Sequence, residues 1–161
     1  MGECDMIRNR IYGMGLVGLV LLLLTACEQI PPAKVVTHAI LCASENADQQ
    51  VAVSGYAYLP NGMMTLVTDT MFMELFEQPN RGGEMVRVSM TLGTGNNQMV
   101  EPPDSYSDAD MLIHADNGQE IHTGDYIQVE GKVIRTPSSN NSEKADCLLM
   151  SPIRVTIPQG G

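Results

Sequence analysis

The chain has little basic charge and no apolar run of bilayer length. It contains nine Lys and Arg against 19 Asp and Glu, which gives a formal net charge of −10. A surface this acidic repels phosphate backbones, so nucleic acid is not an expected partner. The longest uncharged apolar run, residues 11–26, falls short of the roughly 20 residues that a spanning helix needs. We therefore expect the chain beyond this run to be neither a nucleic-acid-binding protein nor an integral membrane protein.

The sequence also lacks the short motifs of common chemistries. It has no nucleophile elbow, no phosphate-binding loop and no Cys-x-x-Cys pair, and Gly93-Thr94-Gly95 is too short for a phosphate cradle. Tryptophan is absent and the other aromatic residues are few, whereas binding of oligonucleotides needs stacking aromatics and a basic groove. A hydrolase that works through the Asp and His residues of 104–125 has only its available side chains in its favour. We expect a protein that is not an enzyme and uses no cofactor.

The first 26 residues have the pattern of an export signal. Arg8 and Arg10 precede the apolar run, which ends in Leu24-Thr25-Ala26-Cys27. Small residues directly before a cysteine at this place resemble the lipobox of bacterial lipoproteins. The resemblance implies cleavage before Cys27 and acylation of its thiol, and two or more acyl chains anchor a protein stably. An ordinary signal peptide with an incidental cysteine, or an uncleaved anchor, is the alternative.

The resemblance divides the chain into a signal peptide of residues 1–26, a tether of residues 27–34 and a domain of residues 35–161. The expected location is the cell envelope, with lipid as the membrane contact and an envelope protein or a glycan as the partner. Glu28 follows Cys27, whereas an aspartate there resembles the inner-membrane retention signal of enterobacterial lipoproteins. The periplasmic face of the outer membrane is therefore favoured if the organism has two membranes.

Two cysteines remain in the mature chain once Cys4 is removed with the signal and Cys27 is acylated. They are Cys42 and Cys147, and a pair in an oxidising compartment is expected to form a disulfide. The bond would close nearly the whole domain. Two buried free thiols are the alternative.

The pattern of β-branched residues and turns predicts an all-β domain. A long insertion, 93–123, interrupts the strands, and within it Ser107-Asp108-Ala109-Asp110 is suited to cap a short helix reaching Ile113. Residues 35–42 fit a strand or one helical turn. Strands are predicted at residues 51–59, 85–90, 124–134 and 147–157, and residues 63–76 are predicted to hold one long strand or two short ones. Turns are predicted at residues 60–62 and 79–83, and the strand at 124–134 is expected to bend at Gly131.

Two of these strands resemble strands of OB-fold domains. The run from Gly124 to Val133, with a Gly-Asp turn before an alternating strand, looks like the fourth OB strand, and Val51 to Tyr58 is similar to the first. The resemblance implies a small five-stranded OB-fold-like barrel with one long insertion or short helix between strands 3 and 4. It spans about residues 50 to 157 and indicates a fold, which does not fix function. A two-sheet sandwich is the competing architecture.

One candidate ligand site is a methionine pair. Met71-Phe72-Met73 resembles the Met-x-Met element of the small periplasmic OB-fold copper and silver chaperones, in which thioethers on one strand face bind a soft monovalent ion. That family also uses a histidine and a tryptophan on neighbouring strands. This chain has no tryptophan and no histidine in its first three predicted strands. We favour the alternative, in which Met71 and Met73 fill the core.

The remaining candidates are histidines and tyrosines. His114 and His122 flank a turn with Asp125 nearby, but their spacing matches no metal-ligand signature, and solvated loop histidines are the favoured interpretation. Tyr56 and Tyr58 share one strand face, where they form either a small binding platform or packing under the insertion. The sequence thus predicts a lipid-anchored, non-catalytic binding or assembly module of the envelope, with a Cu(I) or Ag(I) carrier as the alternative.

Overall fold

Five long strands and several short elements make up the described part of the chain. The computed structural model describes residues 32–61, 69–136 and 146–158. Among these residues no helix is long and apolar enough to cross a membrane. The signal peptide, Cys27 and the predicted strand residues 63–68 lie outside the described residues. The elements in chain order are β1 (Lys34–Val35), α1 (His38–Leu41), a 3₁₀ turn (Ser44–Asn46), β2 (Gln50–Tyr58), β3 (Thr70–Gln78), β4 (Gly82–Leu92), β5 (Gln98–Met99), a second 3₁₀ turn (Asp108–Asp110), β6 (Ile113–His114), β7 (Glu120–Ile121), β8 (Tyr126–Thr136) and β9 (Asp146–Thr156).

The long strands pair side by side and close into a ring in the order β2, β3, β4, β9, β8 and back to β2. Four of the pairings are antiparallel, and that of β4 with β9 is parallel. The β4–β9 seam consists of two residue pairs, Arg87 with Leu148 and Val88 with Leu149. The all-β prediction is confirmed, as is the order of three strands, a crossover and two strands, but this seam makes the ring irregular.

Alternation along each strand decides which side chains fill the ring. Over most of each long strand every second residue is apolar and belongs to the buried core, while the residues between them form the outer face. Each large apolar side chain that is fully buried stabilises the fold by about 1.5–3 kcal/mol. The inner set includes Val51, Val53, Met71, Met73, Leu75, Val86, Val88, Met90, Ile127, Val129, Val133, Leu149 and Val155.

Two mid-strand glycines allow close approach between neighbouring strands. A Cβ atom added to Gly55 would lie 2.5 Å from the carbonyl oxygen of Phe76, and one added to Gly131 would lie 2.7 Å from Cδ1 of Ile153. The β8–β9 register shifts between Glu130 and Lys132. The bend predicted at Gly131 therefore coincides with a β-bulge.

The insertion between β4 and β8 extends the sheet instead of forming a helix of ordinary length. β5 pairs with β4, β6 with β5 and β7 with β6. Ser107 and Asp110 form the expected capping box, but the 3₁₀ turn ends where Met111 becomes extended. The predicted helix reaching Ile113 is therefore wrong. Strand pairing takes over there, because the Leu112 carbonyl accepts a hydrogen bond from the Val100 N–H at 2.8 Å.

The insertion also covers the edge of β9 farther along the strand from the seam. The side-chain oxygen of Asn97 accepts the Val155 N–H at 2.7 Å, and the Asp116 N–H donates to the Val155 carbonyl at 2.8 Å. Arg154 donates two hydrogen bonds to the Asp116 carboxylate, at 2.9 and 3.0 Å, and these together with one from Asn97 hold the pKa of Asp116 below its usual value. This Asn97–Asp116 clasp satisfies strand-edge groups that would otherwise lack partners.

The predicted disulfide joins Cys42 to Cys147, 105 residues apart in sequence and with 5.5 Å between their Cα atoms. It ties the end of α1 to the second residue of β9. Residues 35–42, for which either a strand or a helical turn was predicted, contain both, since the chain passes from β1 into α1.

Candidate functional site

The outer face of the ring carries a continuous row of large apolar side chains. Strand register places Tyr126 of β8 opposite Tyr56 of β2, Tyr56 opposite Phe76 of β3, and Phe76 opposite Met85 of β4. Four neighbouring strands spaced about 4.8 Å apart give this row a length of about 14 Å. We call these four side chains the aromatic row.

The two ends of the aromatic row are its most accessible parts. Tyr126 is 46% exposed and Met85 is 41% exposed, whereas Tyr56 and Phe76 are half-buried. The rings of Tyr56 and Tyr126 lie with centroids 5.1 Å apart, a separation at which aromatic pairs stabilise each other. Contiguous apolar side chains that are partly exposed on a protein surface are candidates for an interaction site. The row is therefore the candidate binding surface.

Arg81 connects three segments beside the aromatic row. Its Nη1 donates to Oε2 of Glu74 at 3.1 Å, and its Nη2 donates to the Leu59 carbonyl at 2.8 Å and to Oδ1 of Asp108 at 2.5 Å. Glu74 lies in β3, Leu59 follows β2, and Asp108 belongs to the insertion. One side chain thus holds the insertion against the ring.

The same guanidinium stacks on aromatic rings of the outer face. Its Cζ lies 4.7 Å from the ring centroid of Tyr58 and 5.7 Å from that of Phe76. Tyr58 and Phe76 themselves meet edge to face, with centroids 5.6 Å apart. Because Phe76 also belongs to the aromatic row, Arg81 fixes one of the four side chains of the candidate surface.

The β3–β4 turn places Arg81 in this position. Asn80 and Arg81 have φ values of 55° and 60°, and the Gly82 N–H donates to the Pro79 carbonyl at 3.2 Å. Two consecutive residues with positive φ match the strand twist of a hairpin, and glycine is the usual second residue. The Asn80 N–H also donates to the Tyr58 hydroxyl at 2.9 Å. These contacts explain why an arginine is tolerated there.

We expect Arg81→Ala to lower the free energy of unfolding by about 2 kcal/mol, because it leaves the nearly buried Glu74 carboxylate without its charged partner. Arg154→Ala is the matched control, since Arg154 and Asp116 form an exposed pair that contributes at most about 1 kcal/mol. Urea denaturation of both variants measures the difference. If both variants lose the same free energy of unfolding, the nearly buried Arg81–Glu74 pair stabilises the fold no more than the exposed pair does.

A pocket with mainly polar walls includes Asp108, the partner of Arg81. Its volume is 510 Å³, and its walls are Pro60, Asn61 and residues 104–108. Asp108 lines the pocket and also binds Arg81, and its carbonyl accepts a hydrogen bond from the Thr123 hydroxyl. The pocket and the row are thus linked through a single arginine.

The structure separates the two tyrosines of the predicted platform. Tyr56 and Tyr58 do share the outer face, but Tyr58 is only 8% exposed and lies beneath Arg81. Tyr56 instead continues sideways into Phe76 and Tyr126. The sequence did not reveal these cross-strand neighbours, because they depend on the register between strands that are far apart in the chain.

Comparisons with known proteins give a distant likeness. No family model and no curated protein matches the chain. A solved structure of a protein assigned as an aspartyl-tRNA synthetase from Leishmania major Friedlin is similar, with 16% identity and a TM-score of 0.41. The match covers 81% of this chain and 22% of that one.

The methionine pair lies inside the ring. Met71 and Met73 are 4% and 0% exposed, and they share the inward face, as their spacing predicted. Burial among apolar side chains is the environment expected of core filling. Within the described ranges no group of three or more His, Cys, Asp or Glu is arranged to hold a metal ion. Soft-metal binding through Met71 and Met73 stays a prediction.

The two insertion histidines have local partners. Nδ1 of His114 donates to the Thr94 carbonyl at 3.1 Å. Nε2 of His122 lies 3.8 Å from Oε2 of Glu120, and the His122 N–H donates to Oδ2 of Asp125 at 2.8 Å. The structure therefore gives each histidine its own neighbours and does not gather both with Asp125 around one point.

His38 is the buried histidine of the described part of the chain. It is 7% exposed, and its Nε2 donates to the Leu75 carbonyl at 3.3 Å. Burial lowers the pKa of His38 below 6.5, against smaller opposing effects of the Leu75 hydrogen bond and the charges of Glu77 and Glu84. The neutral form is therefore favoured in the folded state.

This burial predicts a loss of stability as the pH falls below 6.5. In that window the unfolded chain binds a proton at His38 more readily than the folded protein does, so the free energy of unfolding decreases with decreasing pH. Urea midpoints measured between pH 7 and 5 test the effect. His38→Gln should flatten the dependence, and the exposed control His122→Gln should keep it. If the urea midpoint of His38→Gln depends on pH as steeply as that of the wild type, His38 is not the group responsible.

Proposed function

We propose that this protein is a lipid-anchored, non-catalytic binding module of the bacterial cell envelope, and that its ligand docks on the aromatic row. The observation that carries the proposal is the run of four apolar side chains across the outer face, with Tyr126 and Met85 exposed at its ends. Interaction surfaces are enriched in tyrosine, phenylalanine and methionine. This surface is larger than a single scattered apolar residue, which would need no explanation.

The proposal includes an OB-fold-like barrel. It is supported by the ring of five strands, by the crossover between β4 and β8, and by the insertion at that crossover. OB-folds bind their ligands on the face of their second and third strands. In this chain the corresponding strands are β3 and β4, which supply Phe76 and Met85 to the aromatic row.

The envelope location is supported by the lipobox-like Leu24-Thr25-Ala26-Cys27 and by the disulfide, which is typical of oxidising compartments. Acylation of Cys27 would anchor the chain without a spanning helix. The partner we expect is an envelope protein or a glycan, and the net charge of −10 disfavours nucleic acid.

Membrane fractionation tests the anchor. Full-length protein expressed in a bacterial host should be found with membranes and be released by detergent, whereas Cys27→Ser should move to the soluble fraction or accumulate unprocessed. If Cys27→Ser fractionates with membranes in a processed form as firmly as the wild type, the lipid anchor is wrong.

Affinity capture from the native envelope tests the binding module. We expect one stoichiometric partner with the wild type, its loss with the double variant Tyr56→Ala/Tyr126→Ala, and its retention with Ile157→Ala, which truncates an exposed apolar residue elsewhere. The same partner captured by the double variant would contradict the site. Copper or silver with no partner would favour the soft-metal alternative at Met71 and Met73.

A further inference from the structure

We propose that the aromatic row binds a basic polypeptide segment, whose arginine or lysine side chains stack on Tyr56 and Tyr126. This inference rests on the proposed function, which makes the row a docking surface, and it adds the chemical class of the ligand. Three observations support it: the charge of the domain, the way the outer face already holds a guanidinium, and the pairing of the strands beneath the row.

The charge balance favours a cationic partner. Residues 1–26 contain two acidic and two basic residues, so residues 27–161 keep seven Lys and Arg against 17 Asp and Glu and carry the whole net charge of −10. Such a field attracts basic segments and repels acidic ones before contact is made. An acidic peptide or a phosphate-rich polymer is therefore disfavoured at the row.

The outer face already stabilises one guanidinium of its own. Arg81 lies 4.7 Å from the Tyr58 ring centroid and is flanked by the carboxylates of Glu74 and Asp108. Tyrosine faces attract cations through the ring quadrupole, and arginine is the more frequent cation in such contacts. The Tyr56–Tyr126 pair offers similar rings in the same sheet face, with Tyr126 46% exposed, and the exposed Asp125 precedes Tyr126 in the chain.

Strand pairing determines how a segment can lie on the row. β2 and β3 are paired on both edges within the ring, so a peptide cannot add to them as a further strand. A peptide that lies along the row therefore crosses these strands and binds through side chains. A row of about 14 Å corresponds to about four extended residues. Arg87 lies on β4 two residues beyond Met85, so the cationic side chains should meet the tyrosine end.

The test uses full-length protein in non-ionic detergent and a fluorescently labelled tetra-arginine peptide, followed by fluorescence anisotropy. The variants are Tyr56→Leu/Tyr126→Leu, which removes the rings but keeps apolar bulk, and Tyr56→Phe/Tyr126→Phe, which keeps the rings. We expect the leucine variant to bind about tenfold more weakly and the phenylalanine variant to bind as the wild type. Binding should weaken with added salt, and thermal melts check that both variants fold.

Several results would overturn the inference. Unchanged affinity of the leucine variant for tetra-arginine would show that only diffuse charge attraction is at work. If the wild type does not bind tetra-arginine, or binds tetra-glutamate equally well, a basic polypeptide is excluded as the ligand of the row. Binding of an uncharged oligosaccharide to the row in place of tetra-arginine would do the same. If the native partner is lost from the leucine variant while tetra-arginine fails to bind, the proposed function stands and this inference is wrong. If neither depends on the row, both are wrong.

Discussion

Gly55→Ala is expected to lower the free energy of unfolding by about 3 kcal/mol, at the upper end of the usual cost of overpacking. The added Cβ would lie 2.5 Å from the Phe76 carbonyl oxygen and 3.0 Å from Cγ of Leu75. The nearest atom is backbone in a paired strand, so β2 and β3 must separate to make room. Urea denaturation at neutral pH measures the loss.

Gly131→Ala is the matched control for this variant. Its added Cβ would first meet Cδ1 of Ile153, 2.7 Å away, and the end of an isoleucine side chain can rotate aside. The nearest backbone atom, the Met150 carbonyl oxygen, is 3.3 Å away, compared with 2.5 Å for the Phe76 carbonyl oxygen at Gly55. We therefore expect a loss of about 1 kcal/mol. If the two variants lose equal stability, the close approach of β2 and β3 at Gly55 is not what requires glycine there.

Removal of the disulfide is expected to have the other large effect. In the chain-entropy model a cross-link that closes a loop of about 100 residues stabilises a protein by about 4.7 kcal/mol, and measured losses are typically about 2–5 kcal/mol. Cys42 and Cys147 are 105 residues apart. The double variant Cys42→Ala/Cys147→Ala should therefore unfold at markedly lower urea concentration than the wild type.

Reductant provides the control for the disulfide. It should shift the wild-type midpoint toward that of the double variant and leave the double variant itself unchanged. A wild-type midpoint that is insensitive to reductant, in protein shown by mass to be reduced, would contradict the stabilising role of the bond.

The sequence predicted the features that depend on local pattern. Alternation placed β2, β4, β8 and β9 within a few residues, because a half-buried strand repeats every two residues. The turn at residues 79–83 was predicted from its asparagine and glycines, and the disulfide from the two cysteines that remain when the predicted signal peptide and lipidated Cys27 are set aside. Strand and turn signals lie within a few consecutive residues, and the disulfide follows from the number of cysteines.

The features that depend on contact between distant segments were not predictable in the same way. The aromatic row exists because Phe76 faces Tyr56 and Tyr56 faces Tyr126, and one sequence does not give the register between strands so far apart. The sequence placed Arg81 only within the predicted turn at residues 79–83, although its side chain binds three segments. The helix predicted to reach Ile113 failed because pairing with β5, a tertiary contact, competed with local propensity.

The short β4–β9 seam has a consequence for the native-state motions of the ring. Cys147 directly precedes the two paired residues of β9, and the Asn97–Asp116 clasp holds Val155 farther along the strand. The disulfide near the start of β9 and the clasp near its end therefore keep β9 from separating from the ring on its own. Local opening must release the clasp together with β9, so amide hydrogens of the insertion and of this strand should exchange with solvent as one cooperative unit.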